Sequence, residues 1–128
     1  MKERDGLLMA LLLVETMAQR GMSLGGLLDD MFAKIGKLEF SREGLHITDE
    51  QMAEFRAVTV PVFATDEICG KKVLSIDRRD GVKFMLEDDA WVMMRPSGTE
   101  PLVRTYAEAE TVEDVQRLLD WASKVVCS

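Results

Sequence analysis

The residues best equipped for chemistry lie together near the C-terminus, in Arg95-Pro96-Ser97-Gly98-Thr99-Glu100-Pro101, followed by Arg104. Two guanidinium forks, two hydroxyls and a run of turn amides suit a phosphate dianion, whose several acceptor oxygens need several donors. Each charge-assisted hydrogen bond there contributes about 1.5–3 kcal/mol. Pro96 and Pro101 bracket the loop and restrict its backbone. Gly98 permits φ > 0 and close approach of a ligand to the main chain. Successive turn amides form an anion nest without any helix N-terminus. The competing reading is a plain hairpin turn, since Ser, Gly and Thr are common turn residues. The flanking arginines and prolines count against it, but the residues by themselves leave both readings open.

The rest of the composition narrows the partners. The chain has 128 residues, 47% of them apolar and 30% charged, with a net charge of −7. That balance excludes a general nucleic-acid binder, which needs a broad basic surface. An acidic protein binds an anion only where a few cations and amides converge. Cys69, Cys127 and His46 make no zinc pattern. Two free thiols suit a reducing cytoplasm. The apolar run from Leu7 to Val14 follows Lys2, Glu3, Arg4 and Asp5, whose charges cancel, and no A-x-A cleavage site follows it. It is too short to span a bilayer. No signal peptide, membrane segment or metal site is expected.

Several elements must position the loop. Residues 6–19 read as a helix ended by Gly21, and Ser23 caps a second, ending near Gly36. The first helix is apolar on nearly every side, at Leu7, Leu8, Met9, Leu11, Leu12, Leu13 and Val14. Such a helix expects burial all round, so this region reads as part of something larger. Residues 37–47 suit an extended segment. Thr48-Asp49-Glu50-Gln51 is a capping box that opens a helix to about Ala57, with Pro61 opposing its continuation. Strands over Lys71–Asp77 and Val82–Leu86 flank Asp80-Gly81, a hairpin signal. A turn at Glu87-Asp88-Asp89 leads to strands at 90–95 and 102–108. Thr111 caps a last helix with an apolar stripe at Val112, Val115, Leu118, Leu119, Ala122, Val125 and Val126. The expected fold class is α+β, with a four-stranded antiparallel sheet packed with helices. Strand alternation leaves open which face of the sheet carries Arg95 and Arg104. Met93 and Met94 read as core fillers.

The loop, with Leu102-Val103-Arg104 and Tyr106-Ala107-Glu108 after it, resembles the C-terminal phosphate-binding loop of the α-D-phosphohexomutases. That family includes phosphoglucomutase/phosphomannomutase and phosphoglucosamine mutase. Gly70-Lys71-Lys72-Val73, Asp80-Gly81-Val82-Lys83 and Trp91-Val92 also resemble the family's last domain. Arg4-Asp5-Gly6 and the leucine-rich helix resemble the end of its third domain.

The resemblance implies a four-domain enzyme whose last domain has a TATA-box-binding-protein-like fold. Residues 1–36 would be the helical tail of the third domain and 37–128 the C-terminal phosphate-binding domain. Arg95, Ser97, Gly98, Thr99 and Arg104 would contact the phosphate that is not being transferred. Glu100 would shape the loop or pair with an arginine. The whole enzyme would interconvert hexose 1-phosphate and hexose 6-phosphate, with glucose or mannose phosphate as substrate and Mg2+ as cofactor. The family's Ser-His nucleophile, D-x-D-x-D-R-like magnesium loop and G-E-x-S sugar-reading loop have no counterpart here. The chain therefore reads as a non-catalytic C-terminal fragment, with no catalytic or metal-binding residue of its own and the remaining mutase domains as partners. Two alternatives stand beside this reading. One is a phosphoglucosamine mutase parent; the other is a stand-alone α+β binding or regulatory module.

Overall fold

A computed structural model describes residues 5–127. Lys2, Glu3 and Arg4, on which part of the sequence reading rests, lie outside the described residues. The chain divides at Lys37/Leu38 into two compact units.

The first unit is a pair of helices, α1 (Gly6–Arg20) and α2 (Leu24–Ile35), which meet at 82°. Asp5 caps α1 by accepting from the Leu8 amide. Gly21 ends it in the left-handed region at φ 61°, and its N–H returns to Ala18 and Met17. Ser23 caps α2, and Asp30 pairs with both Arg20 and Lys34. Most of the apolar residues of α1 are exposed, Leu7 by 73% and Val14 by 60%, while Leu8 and Met17 are half-buried. No single helix among the described residues is long and apolar enough to cross a membrane.

The second unit is a six-stranded antiparallel sheet in the order β1-β6-β5-β4-β3-β2. Its strands are β1 (Glu39–His46), β2 (Glu67–Ile68), β3 (Lys71–Asp77), β4 (Val82–Leu86), β5 (Trp91–Pro96) and β6 (Leu102–Ala109). The expected four-stranded meander is thus the centre of a wider sheet. The extended segment at 37–47 is strand β1, paired along its length with β6. Strand β2 is a two-residue edge too short to carry an alternation pattern. It joins β3 through Cys69-Gly70, both at positive φ, as a two-residue primed turn requires.

Helix α3 (Asp49–Glu54) starts from the Thr48 capping box and runs past Ala57. One π-helical turn, Phe55–Thr59, widens it before α4 (Val60–Val62). The wider turn accommodates Pro61, which lacks an N–H and crowds the preceding turn. Arg78, in the β3–β4 turn, donates to the Val60 and Phe63 carbonyls and closes the end of this helix.

Helix α5 (Val112–Cys127) is capped by Thr111, whose hydroxyl accepts from the Asp114 amide. Val115, Leu118, Leu119, Ala122 and Val126 are buried against the sheet, while Val112 is exposed at the mouth of the stripe. Each large apolar side chain buried there contributes about 1.5–3 kcal/mol. Met52 and Phe55 join the same core, with Val82, Phe84, Leu86, Val92, Met94, Val103 and Ala107 beneath them. The helices therefore pack on one face of the sheet. Met94 is a core residue as expected, but Met93 points to the other face, because neighbouring strand residues alternate.

Candidate functional site

The loop between β5 and β6 is built by backbone hydrogen bonds. The Ser97 amide donates to the Leu102 carbonyl at 2.7 Å, and the Leu102 amide donates to Glu100 at 2.8 Å. The Ile47 amide, just past β1, ties down the Pro101 carbonyl at 3.1 Å. A long-range contact completes the frame: Arg56, on the π-helical turn, donates to the Ser97 carbonyl. Both backbone groups of Ser97 are thus committed inside the protein, and the residue is only 5% exposed. Its hydroxyl is what it has left to offer a ligand.

Gly98, Thr99 and Glu100 form the exposed tip. Among the described residues their three amides have no hydrogen-bond partner. Gly98 does not use the left-handed region. The two bonds at Ser97 and Leu102 turn the chain without it. Nothing lies within 4 Å of where a Cβ at 98 would stand, so the residue leaves the backbone approachable. The tip, with Arg56, Asp49 and Met52, lines a cleft of about 220 Å3. Glu100 meets no arginine among the described residues; it shapes the loop through its carbonyl.

Arg95 and Arg104 lie directly opposite each other in the β5–β6 register, which sets them on the same face of the sheet. It is the face opposite the helices, since Met94, Val103 and Thr105 between them point into the core. Asp80, at the β3–β4 turn, accepts from Arg95 Nε at 2.9 Å. The Asp80 carboxylate, and after it Tyr106, pushes the Arg95 pKa above the ordinary arginine value. Gly81 makes this placement possible. It sits at φ 94° against β5, and a Cβ there would stand 2.3 Å from the Met94 carbonyl oxygen. Arg104 is exposed and lines a second cleft, of about 500 Å3, with Arg42, Gly44, Leu102 and Tyr106. Of the five residues expected from sequence, Gly98 and Thr99 therefore share one cleft and Arg104 lines another. Arg95 stands between Arg104 and Asp80, and Ser97 anchors the turn. Several other groups on this face are engaged with one another. Lys83 lies 3.8 Å from the Trp91 ring centroid, Trp91 Nε1 donates to Glu108, and Phe40 packs on both Trp91 and Tyr106. Sequence reasoning missed Arg56, because its contact with the loop spans 41 positions and no local pattern announces it.

Comparison with known proteins decides the family. Residues 44–123 match the phosphoglucomutase/phosphomannomutase C-terminal domain. The chain belongs to the phosphoglucomutase/phosphomannomutase family. It is 31% identical over 123 residues to a phosphoglucomutase/phosphomannomutase of Thermococcus kodakarensis, covering 96% of this chain and 24% of that protein. It is 32% identical over 124 residues to a phosphoglucosamine mutase of Oceanobacillus iheyensis, covering 95% of this chain and 23% of that protein. A crystal structure of a protein assigned as a phosphomannomutase of Thermus thermophilus superposes with a TM-score of 0.67 at 32% identity. It covers 98% of this chain and 23% of that one. The chain thus spans about a quarter of the length of these relatives.

Proposed function

We propose that this domain holds the phosphate of a hexose phosphate that is not being transferred, on behalf of a phosphohexomutase. The observation that carries the reading is the run of three unpartnered amides at Gly98, Thr99 and Glu100. Beside it, Arg95 and Arg104 face each other on the adjoining strands. Amides in succession form a nest for an anion, and guanidinium groups complete its coordination. The whole enzyme would move a phosphoryl group between the 1- and 6-positions of glucose or mannose through a bisphosphate. The phosphate clamp does not read the sugar, so glucosamine phosphate is the second candidate substrate; likeness to a phosphoglucosamine mutase supports keeping it. Residues 1–36 would belong to the preceding mutase domain, and the exposed apolar side chains of α1 suit a covering partner such as the remaining domains.

The domain's own contribution is binding and orientation. Mg2+ is expected in the longer enzyme. Among the described residues no group of three or more His, Cys, Asp or Glu could hold a metal, so no step is assigned to one here. The expected site of action is the cytoplasm. A titration of 15N-labelled chain with glucose 1-phosphate tests the reading. Amide shifts confined to Ser97–Glu100 and their neighbours, saturating near millimolar, are expected; that affinity corresponds to about −4 kcal/mol. No shift at tens of millimolar ligand would refute it. The same chain mixed with glucose 1-phosphate and bisphosphate should yield no glucose 6-phosphate.

A further inference from the structure

Arg42 shares a face of the sheet with Arg95 and Arg104 and has no assigned task. The β1–β6 register sets Arg42 opposite Tyr106 and Gly44 opposite Arg104. Arg42 is therefore the diagonal neighbour of Arg104, at the ~7–8 Å spacing of such pairs, within reach of long side chains. Gly44 lies between them and carries no side chain. With no side chain at Gly44 the cleft stays open there; a Cβ would stand 3.3 Å from Leu102 Cδ1, so a larger residue would fill the cleft floor against Leu102. The cleft of about 500 Å3 lies over this point, walled by Arg42, Arg104 and Tyr106, with Glu43 also lining it. Glu43 reaches towards α5, where its carboxylate accepts from Gln116 Nε2 at 3.4 Å.

The charges of this face divide in a telling way. Arg95 is paired with Asp80, and Lys83 lies over the Trp91 ring. Arg42 and Arg104 have no hydrogen bond or ion pair among the described residues. Glu43 lines the cleft and Glu108 is the other diagonal neighbour of Arg42, yet neither carboxylate pairs with Arg42 or Arg104, and two neighbouring unpaired cations repel. An anion seated between them would remove that cost. Two planar forks and a phenol hydroxyl match the oxygens of a phosphoryl group.

We propose that Arg42 is a further phosphate-binding residue, which acts with Arg104 across Gly44 on the phosphoryl group of the sugar phosphate. The inference rests on the phosphate-binding reading above and extends the site to the edge strand β1.

The test is a titration of the full 128-residue chain with inorganic phosphate and with glucose 1-phosphate at fixed ionic strength, read by amide shifts. Arg42→Ala should raise the Kd about tenfold, the effect of losing roughly one charge-assisted bond. Arg42→Lys, which keeps the charge but loses the fork, should fall between it and the parent. Arg117→Ala, which removes a charge on α5 away from the cleft, should leave the Kd unchanged. Gly44→Val keeps Arg42 and fills the cleft floor, so it should weaken binding as Arg42→Ala does. Tryptophan emission confirms that each variant is folded. A Kd within twofold of the parent for Arg42→Ala and Gly44→Val, with Arg104→Ala weakened tenfold, overturns the role of Arg42 alone. If Arg104→Ala and Thr99→Ala also bind as the parent does, the phosphate-binding reading itself falls.

Discussion

Replacing Gly81 by alanine separates two ways in which a glycine can be required. Gly81 and Gly70 both sit in turns at positive φ, 94° and 85°. They differ in what a Cβ would meet. At Gly70 nothing lies within 4 Å. At Gly81 the Met94 carbonyl oxygen would be 2.3 Å away and the Arg95 Cα 2.9 Å. Both contacts are to backbone, so neither is relieved by a rotamer change. Gly70→Ala should therefore cost only the left-handed term, about 1–2 kcal/mol. Part of that is offset by the lower entropy of the unfolded chain, about 0.4–1 kcal/mol. Gly81→Ala carries the same terms plus a forced shift of β5 against β4, about 1–3 kcal/mol more. Domains of this size have about 5–15 kcal/mol in total, so the difference is large. At about 4–8 °C per kcal/mol, Gly81→Ala should melt roughly 5–20 °C below Gly70→Ala. Trp91 and Trp121 are the chain's two tryptophans, and both lie in the second unit, so their emission during urea unfolding reports this unit alone. The shifted strand carries Arg95, so Gly81→Ala should also weaken phosphate binding while Gly70→Ala leaves it unchanged. Equal stabilities, within about 0.5 kcal/mol, would refute the packing argument.

Other perturbations probe neighbouring features. Arg56→Ala removes the donor to the Ser97 carbonyl; it should cost about 1.5–3 kcal/mol and weaken phosphate binding, whereas unchanged loop-amide shifts would show that Arg56 does not hold the loop. Thr105 is fully buried, and its hydroxyl has no partner among the described residues. Thr105→Val should raise the unfolding free energy by about 1 kcal/mol, read as a higher urea midpoint at constant slope, and a drop would mean that the hydroxyl is satisfied in solution. Hydrogen bonding to Arg79 lowers the Asp77 pKa from 3.8 to about 2. Because the folded value is depressed, the contribution is present above pH 3.8 and is lost as the pH falls through about 2. A carboxyl NMR titration should find that midpoint, and Arg79→Ala should return it towards 3.8. Asp89 sits at φ 55° with no side-chain bond among the described residues; Asp89→Gly should stabilise by about 0.5–1 kcal/mol in the same unfolding assay.

What could be read from the sequence was set by how local the cause is. The Thr48 capping box, the Asp80-Gly81 turn and the Glu87–Asp89 turn act over a few residues, and β3 and β4 fall where their patterns end. Strand β1 has visible alternation, but its partner β6 lies some sixty positions away, so the pattern alone gave no reason to add it to the sheet. The π-helical turn arises because Phe55 and Met52 stay buried while the chain passes Pro61, a compromise between packing and backbone that propensity does not encode. The same division runs through the candidate site. Alternation could say that Arg95 shares a face with Met93 and Arg104 with Tyr106. Only the β5–β6 register could say that those two faces are one.

This division also changes how the loop motif is understood. Its residues look equivalent in sequence, as a run of donors, yet the fold assigns them different work. Ser97 spends its amide and carbonyl on Leu102 and Arg56 and makes the turn. Gly98, Thr99 and Glu100 keep their amides unspent because Ser97 has closed the loop beneath them. Thr99→Ala removes a hydroxyl from an exposed tip and should weaken phosphate binding with little loss of stability. Ser97→Ala removes one from a buried anchor whose backbone bonds survive the change. If the Ser97 hydroxyl serves the ligand, binding falls there too while the urea midpoint holds. If it serves the loop, stability falls first and binding follows it. The paired measurement therefore distinguishes a ligand contact from a loop anchor at the one position where the structure makes the residue both buried and adjacent to the nest.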